Sequence, residues 1–269
     1  MSWSWPTHNG RPPLAMLGGL GAGALVLWGT SGLVEVSIAR LFNSSGRVFD
    51  FIGRLFTTPD WAYFPALLSA LWETIAMALV ATFLALIVSI PLGLLAARNA
   101  SPHPLIYRLS RDLLSLMRAL PELVWALLFV SAVGLGPFPG VMALAFVTVG
   151  FMGKFYAEHI EVVGNKAIEG VRSTGAGRMQ IIRYAMTPQA KPDFVGTLMY
   201  ILDHNVRAAT VLGIVGAGGI GYDLMMSLRL FQYDRLIMII AMIFLVVALL
   251  DVLSGYVRSK IIGGVNNAV

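Results

Sequence analysis

The chain has 269 residues, of which 57% are hydrophobic and only 12% charged, with a mean hydropathy of +0.77. Soluble domains carry about a quarter charged residues, so this chain has too little polar surface to fold in water as such a domain. The absence of cysteine excludes a disulfide framework, a thiolate metal site and a cysteine nucleophile, and the net charge of +5 suits basic residues gathered in cytoplasmic loops better than a nucleic-acid surface.

A helix needs about 20 apolar residues to cross a bilayer core, and the chain offers about six such runs, an all-α integral membrane fold. The N-terminal MSWSWPTHNGRPP lacks a small-residue cleavage site after a short apolar core, so residues 14–34 read as a retained first span. Residues 35–60 mix Arg40, Arg47, Asp50 and Arg54 with Phe42, Phe49, Phe51 and Phe56, which suits an external amphipathic segment. The second span, 64–97, is longer than the bilayer requires and holds Glu73 near one end and Pro91 near the other, so a tilt or kink is expected. The glycines and prolines of 134–140 break the next apolar stretch into a hairpin of spans at 112–133 and 139–160. Residues 161–193, with Lys166, Arg172, Arg178, Arg183 and Lys191, are too charged to cross and form a loop. Residues 194–218 and 236–256 complete the set.

Placing both termini inside puts Arg11, then Arg98, Arg108 and Arg111, then the basic loop, then Arg258 and Lys260 on the cytoplasmic side. The expected organisation is therefore a first span plus external segment at 1–63, a membrane domain at 64–263 containing the loop 161–193, and a tail at 264–269.

The loop has an acid at Glu169, a glycine at Gly175 and a proline at Pro188. Residues 166–174 can form a short helix with Ile168 and Val171 on one face, ended by Gly175, and Pro188 should break a second apolar element before the fifth span. This spacing, inside the largest cytoplasmic loop, resembles the EAA loop of binding-protein-dependent ABC importer permeases. The family pattern has Ala-Ala after the acid, where this chain has Gly170-Val171. Two further segments, Arg118-Ala-Leu-Pro121-Glu122 and Asn205-Val-Arg207 leading to Gly213 through Gly221, resemble phosphonate-type permeases, with methionine-type permeases as near relatives.

The resemblance implies a type I ABC importer permease of the bacterial inner membrane, working as a homodimer. Its expected partners are two copies of an ATPase subunit, docked on Glu169, Gly170, Val171, Gly175 and Pro188, an extracytoplasmic solute-binding protein, and membrane lipid. No cofactor is expected in this chain, since ATP and Mg would be held by the ATPase, and the cargo would be a phosphonate, phosphate or phosphite.

Ionisable groups at membrane depth are functional candidates. Arg118 and Glu122 are four residues apart, as are Asp203 and Arg207, so each pair can meet on one helical face and either neutralise itself or line the path. Pro121 between the first two should kink the third span and is a candidate gate hinge. Asn205 belongs to the same candidate path. Glu73 and Asp251, near span ends, read as snorkelling towards headgroups. The four histidines show no metal-ligand spacing. Gly216-Ala-Gly-Gly-Ile-Gly221 matches a dinucleotide fingerprint, but without a βαβ unit the glycines suit close packing or an irregular external turn. An ion-gradient transporter using Glu122, Asp203 and Arg207 is the rival from another class.

Overall fold

The computed structural model describes residues 14–31, 46, 49–54 and 58–266. Contacts divide the chain into residues 1–54 and 55–269. The first unit contains α1 (Leu14–Ser31), an uncharged helix rich in glycine and leucine. Most of the expected amphipathic segment at 35–60 lies outside the described residues.

In the second unit a 3-10 turn at Trp61–Tyr63 opens into α2 (Phe64–Leu95), which runs through Pro91 as one helix. There follow α3 (Pro104–Met117), α4 (Glu122–Val133), α5 (Pro137–Glu161), α6 (Asn165–Arg172) and α7 (Arg178–Ile181). A π-helical turn, Ile182–Met186, leads into α8 (Thr187–Leu212). A 3-10 turn, Gly213–Val215, then precedes α9 (Gly219–Arg229) and α10 (Tyr233–Asn266). Every regular element among the described residues is helical, as lipid demands of a chain that must satisfy its own backbone groups.

Among the described residues three helices are long and apolar enough to cross a bilayer: α2 with its leading turn, α5, and the Tyr233–Tyr256 part of α10. Two bent pairs, α3 with α4 at 81° and the α7-to-Val215 run with α9 at 44°, bring that to as many as five if each pair is one span. The expected third span is thus a broken helix. Residues 118–121 interrupt it, with Pro121 in an extended conformation at the start of α4 (φ −57°, ψ 147°), so the proline separates two helices instead of kinking one. Pro188 also acts differently from expectation. It sits in the first turn of α8, where a missing N–H is harmless, and the π-turn before it carries the chain into the helix without a break.

The helices pack through small residues, which let backbones approach closely where lipid gives no hydrophobic drive for association. On α2, Ala81, Ala85, Ser89 and Gly93 recur every four residues, all buried. They face α5, whose Gly150 and Gly153 are buried in turn against Leu114 and Met117 of α3. Across this bundle Asn205 of α8 donates through Nδ2 to Thr82 Oγ1 at 2.8 Å and accepts from Thr148 Oγ1 at 3.0 Å. Asn205, Thr82 and Thr148 are all buried, so this chain of hydrogen bonds ties α2, α5 and α8 together.

Two ends of the second unit can be told apart. At one end Ala96, Ala97, Ile160, Ile168, Ile181 and Ala185 form a cluster under the 161–193 loop. There Arg111 reaches Glu161 at 3.1 Å. At the other end Leu67, Leu71, Ile220 and Ile239 pack together, and Arg235 pairs with Asp60 at 3.0 Å while lying over the Tyr63 ring.

Candidate functional site

The loop expected to meet a partner has a built form. α6 turns Ile168 and Val171 inward onto the cluster beneath it, Ile168 buried and Val171 partly so. Its other face, with Lys166, Glu169, Gly170 and Arg172, is exposed. Ser173 N donates to Glu169 O and Gly175 N to Arg172 O, closing the helix, and Gly175 takes φ +80° with open space around it. Conformation, not crowding, requires glycine there. A Cβ on Gly170 would meet nothing within 4 Å, so the missing alanine of the family pattern leaves no gap inside this chain. Beyond the turn, Gln180 Oε1 accepts from Gly177 N at 2.8 Å, and Met179 and Tyr184 stand 74% and 62% exposed. The loop therefore presents an acid and two large apolar groups outward from a helix that is anchored below, a form suited to docking.

The membrane charges are arranged differently from their sequence spacing in all but one case. Asp203 and Arg207 do meet on α8, Nη2 to Oδ2 at 2.6 Å. The same Nη2 also lies 2.6 Å from Asp251 Oδ1 on α10, so Asp251 is a partner in an ion triad and not a snorkelling group. Asp203 is only 14% exposed, and its Oδ1 is buried without a partner among the described residues. Arg118 and Glu122 do not pair, because the break at 118–121 removes the helical turn that would bring them together. Arg118 lies over the Phe151 ring at 4.7 Å, while Glu122 faces His204 Nε2 at 3.6 Å. A cavity of about 140 Å³ sits between α4, α5 and α8, lined among others by Glu122, Phe151, Tyr200, His204 and Asn205. Lys154, partly buried on α5 and one turn from Phe151, has no carboxylate at ion-pair distance among the described residues. Sequence reasoning missed it, although it closes the uncharged run of that span.

Glu73 also has a partner. Its Oε1 accepts from Gly219 N at 3.1 Å, and the neighbouring Thr74 Oγ1 accepts from Ile220 N at 2.9 Å. Two side chains of α2 thus cap the start of α9, where helix N–H groups and the dipole favour a negative group. Gly218 and Gly219, at φ +80° and +68°, form the turn that brings those amides down onto α2. The residues before it, 210–215, end α8 and form a 3-10 turn, so the glycine pattern serves a helix start held by the chain's own carboxylate. Glu73→Ala is expected to destabilise the assembled protein by roughly 0.5–2 kcal/mol, the usual loss of a cap, with Glu73→Gln milder. Thermal unfolding in detergent measures this, and an unchanged midpoint in Glu73→Ala would return Glu73 to the headgroup region.

Apolar helices long enough to cross a bilayer, joined by a charged loop whose short helix faces outward, define a multi-pass membrane protein. The chain belongs to the family described as binding-protein-dependent transport system inner membrane component, which matches residues 89–263. It is 42% identical over 200 residues to the phosphite transport system permease protein PtxC of Stutzerimonas stutzeri, covering 74% of this chain and 73% of that one. It is 39% identical over 228 residues to the putative phosphite transport system permease protein HtxC of the same organism, covering 85% and 80%. Among solved structures, an inward-facing MetNI methionine ABC transporter matches with a TM-score of 0.66 at 21% identity, over 75% of this chain and 99% of that one. That likeness shows the fold. The protein is accordingly a permease subunit of an ABC importer in the inner membrane.

Proposed function

We propose that this permease carries phosphite, phosphate or phosphonate oxyanions inward. The observation that carries the reading is the similarity along most of the chain to the two phosphite permeases. Arg118 adds to it: its guanidinium has no carboxylate at ion-pair distance among the described residues, so it is free to meet an oxyanion, as is Lys154. Arg207, held by two aspartates, is less suited to that task than its position in the sequence suggests. Pro121, at the break between α3 and α4, is the proposed gate hinge, with Glu122 and His204 beside it.

Six spans fit this reading if α1 joins the five of the second unit, and N-in, C-in orientation follows from the basic loops. Two copies would form the pathway. A separate ATPase pair, holding ATP and Mg, would dock on the face around Glu169, Gly170, Val171, Gly175 and Pro188, and a binding protein would deliver cargo from outside. Residues 1–63, 64–263 and 264–269 remain the proposed divisions.

Uptake into vesicles by the reconstituted transporter, with its binding protein and radiolabelled phosphite, tests the cargo. Excess phosphate, phosphite or methylphosphonate should compete, whereas methionine should not. Uptake of methionine with none of the oxyanions would overturn this reading in favour of the methionine-type alternative. Uptake driven by an ion gradient without ATP would overturn it in favour of a secondary transporter.

A further inference from the structure

A second cavity, of about 410 Å³, opens at the end of the molecule that carries the 161–193 loop. It is lined by Arg98, Ser101, His103, Pro104, Tyr107 and Arg108. The backbone around it is fixed: Arg98 N donates to Glu161 Oε1 at 2.7 Å, Asn99 Nδ2 to Ile160 O at 2.8 Å and Ser101 N to Ala97 O at 2.8 Å. The carboxylate that bonds this backbone is already engaged, because Glu161 also accepts from Arg111, whose Nε bonds Ala96 O and whose guanidinium lies over Tyr107. Arg98 and Arg108 are left without a carboxylate at ion-pair distance among the described residues, Asp112 included. Ser101 Oγ already donates to His103 O at 3.3 Å, so the groups on offer are two uncompensated guanidiniums and the Tyr107 phenol around one cavity, which match the chemistry of a phosphate group.

A phosphate could come from lipid or from solution, and the neighbouring side chains favour lipid. Leu105 and Ile106, between the lining residues Pro104 and Tyr107, and Leu109 beyond Arg108, are 58%, 38% and 59% exposed. A soluble oxyanion has no use for that apolar flank, whereas acyl chains would cover it. Basic pockets between membrane helices on the cytoplasmic side are suited to anionic headgroups. We propose that this cavity binds the phosphodiester of an anionic phospholipid in the inner leaflet, with the acyl chains lying along α3. Because Glu161 joins the cavity wall to the end of α5, four residues before the start of α6, the bound lipid braces the root of the coupling loop. The inference rests on the importer reading only for which leaflet the cavity faces.

The test uses the complete transporter, reconstituted in nanodiscs of equal phosphatidylcholine and phosphatidylglycerol and analysed by native mass spectrometry. The wild type should retain phosphatidylglycerol selectively. Arg98→Gln with Arg108→Gln should retain at least about tenfold less, given the attraction expected of each basic residue for an anionic surface. Arg229→Gln, on α9 at the other end, should retain as much as the wild type. A photoactivatable phosphatidylglycerol added to the wild type, which removes any concern over folding of the variant, should label residues 98–109. Equal retention by the double variant, labelling only elsewhere, or displacement of the lipid by millimolar inorganic phosphate would each overturn the proposal, the last in favour of a soluble oxyanion. Uptake by the same variants reports on the importer reading separately.

Discussion

Arg207→Ala is expected to lower the amount of assembled transporter about tenfold. The substitution strips two carboxylates, Asp203 and Asp251, of the guanidinium that lies 2.6 Å from each. An uncompensated charge at bilayer depth costs roughly 2.5–3.5 kcal/mol on insertion scales. Asp203 bears more of this penalty, because it is nearly buried and its second oxygen already lacks a partner among the described residues. Asp251 is about half exposed, which leaves it better able to find water or a headgroup. The decisive comparison is the neutral triple variant Asp203→Asn, Arg207→Gln, Asp251→Asn. It removes all three charges together and should restore assembly and bring uptake per molecule back to within about twofold of wild type, as expected if the triad neutralises itself. Full assembly with no uptake would instead place Arg207 in the path.

The triad also marks what sequence spacing can reveal. Asp203 and Arg207 were legible because four residues on an unbroken helix share a face. The same rule applied to Arg118 and Glu122 fails, since it presupposes a helix that the chain interrupts at 118–121. Asp251 joins the triad from 44 residues away and Glu73 reaches Gly219 across 146, contacts for which a single sequence carries no local signal. Their position near span ends suggested headgroups, and tertiary packing gave them partners instead. The glycine turn was legible as an irregular break, but the amides it offers and the Glu73 carboxylate that takes them were not. The 161–193 loop was the most legible part, because a short helix with one apolar face and a glycine stop is specified by the residues within it. The π-turn before Pro188 was hidden, since nothing in residues 182–186 distinguishes it from an ordinary helix.

That loop supplies the remaining strong prediction, because its two faces should fail in different ways. Glu169→Arg changes an exposed side chain that has no ion pair among the described residues. The permease's own thermal stability should therefore move by no more than about 0.5 kcal/mol, as for ordinary surface positions. Docking is another matter. If the ATPase presents a basic group to this acid, reversal sets like charges together and should reduce uptake tenfold or more while leaving permease yield intact. Stimulation of ATP hydrolysis by the loaded binding protein should fall with it. Ile168→Ala, one residue away, attacks the buried face and should cost about 2–4 kcal/mol of stability through the cavity it leaves, loosening α6 from its cluster. A pull-down of the ATPase by each variant, beside unfolding of the permease alone, separates the two. Glu169→Arg with normal uptake and normal ATPase capture would show that the exposed face of α6 is not where the motor grips, and the push on the membrane helices would have to enter elsewhere, with the exposed Met179 and Tyr184 the next surface to test.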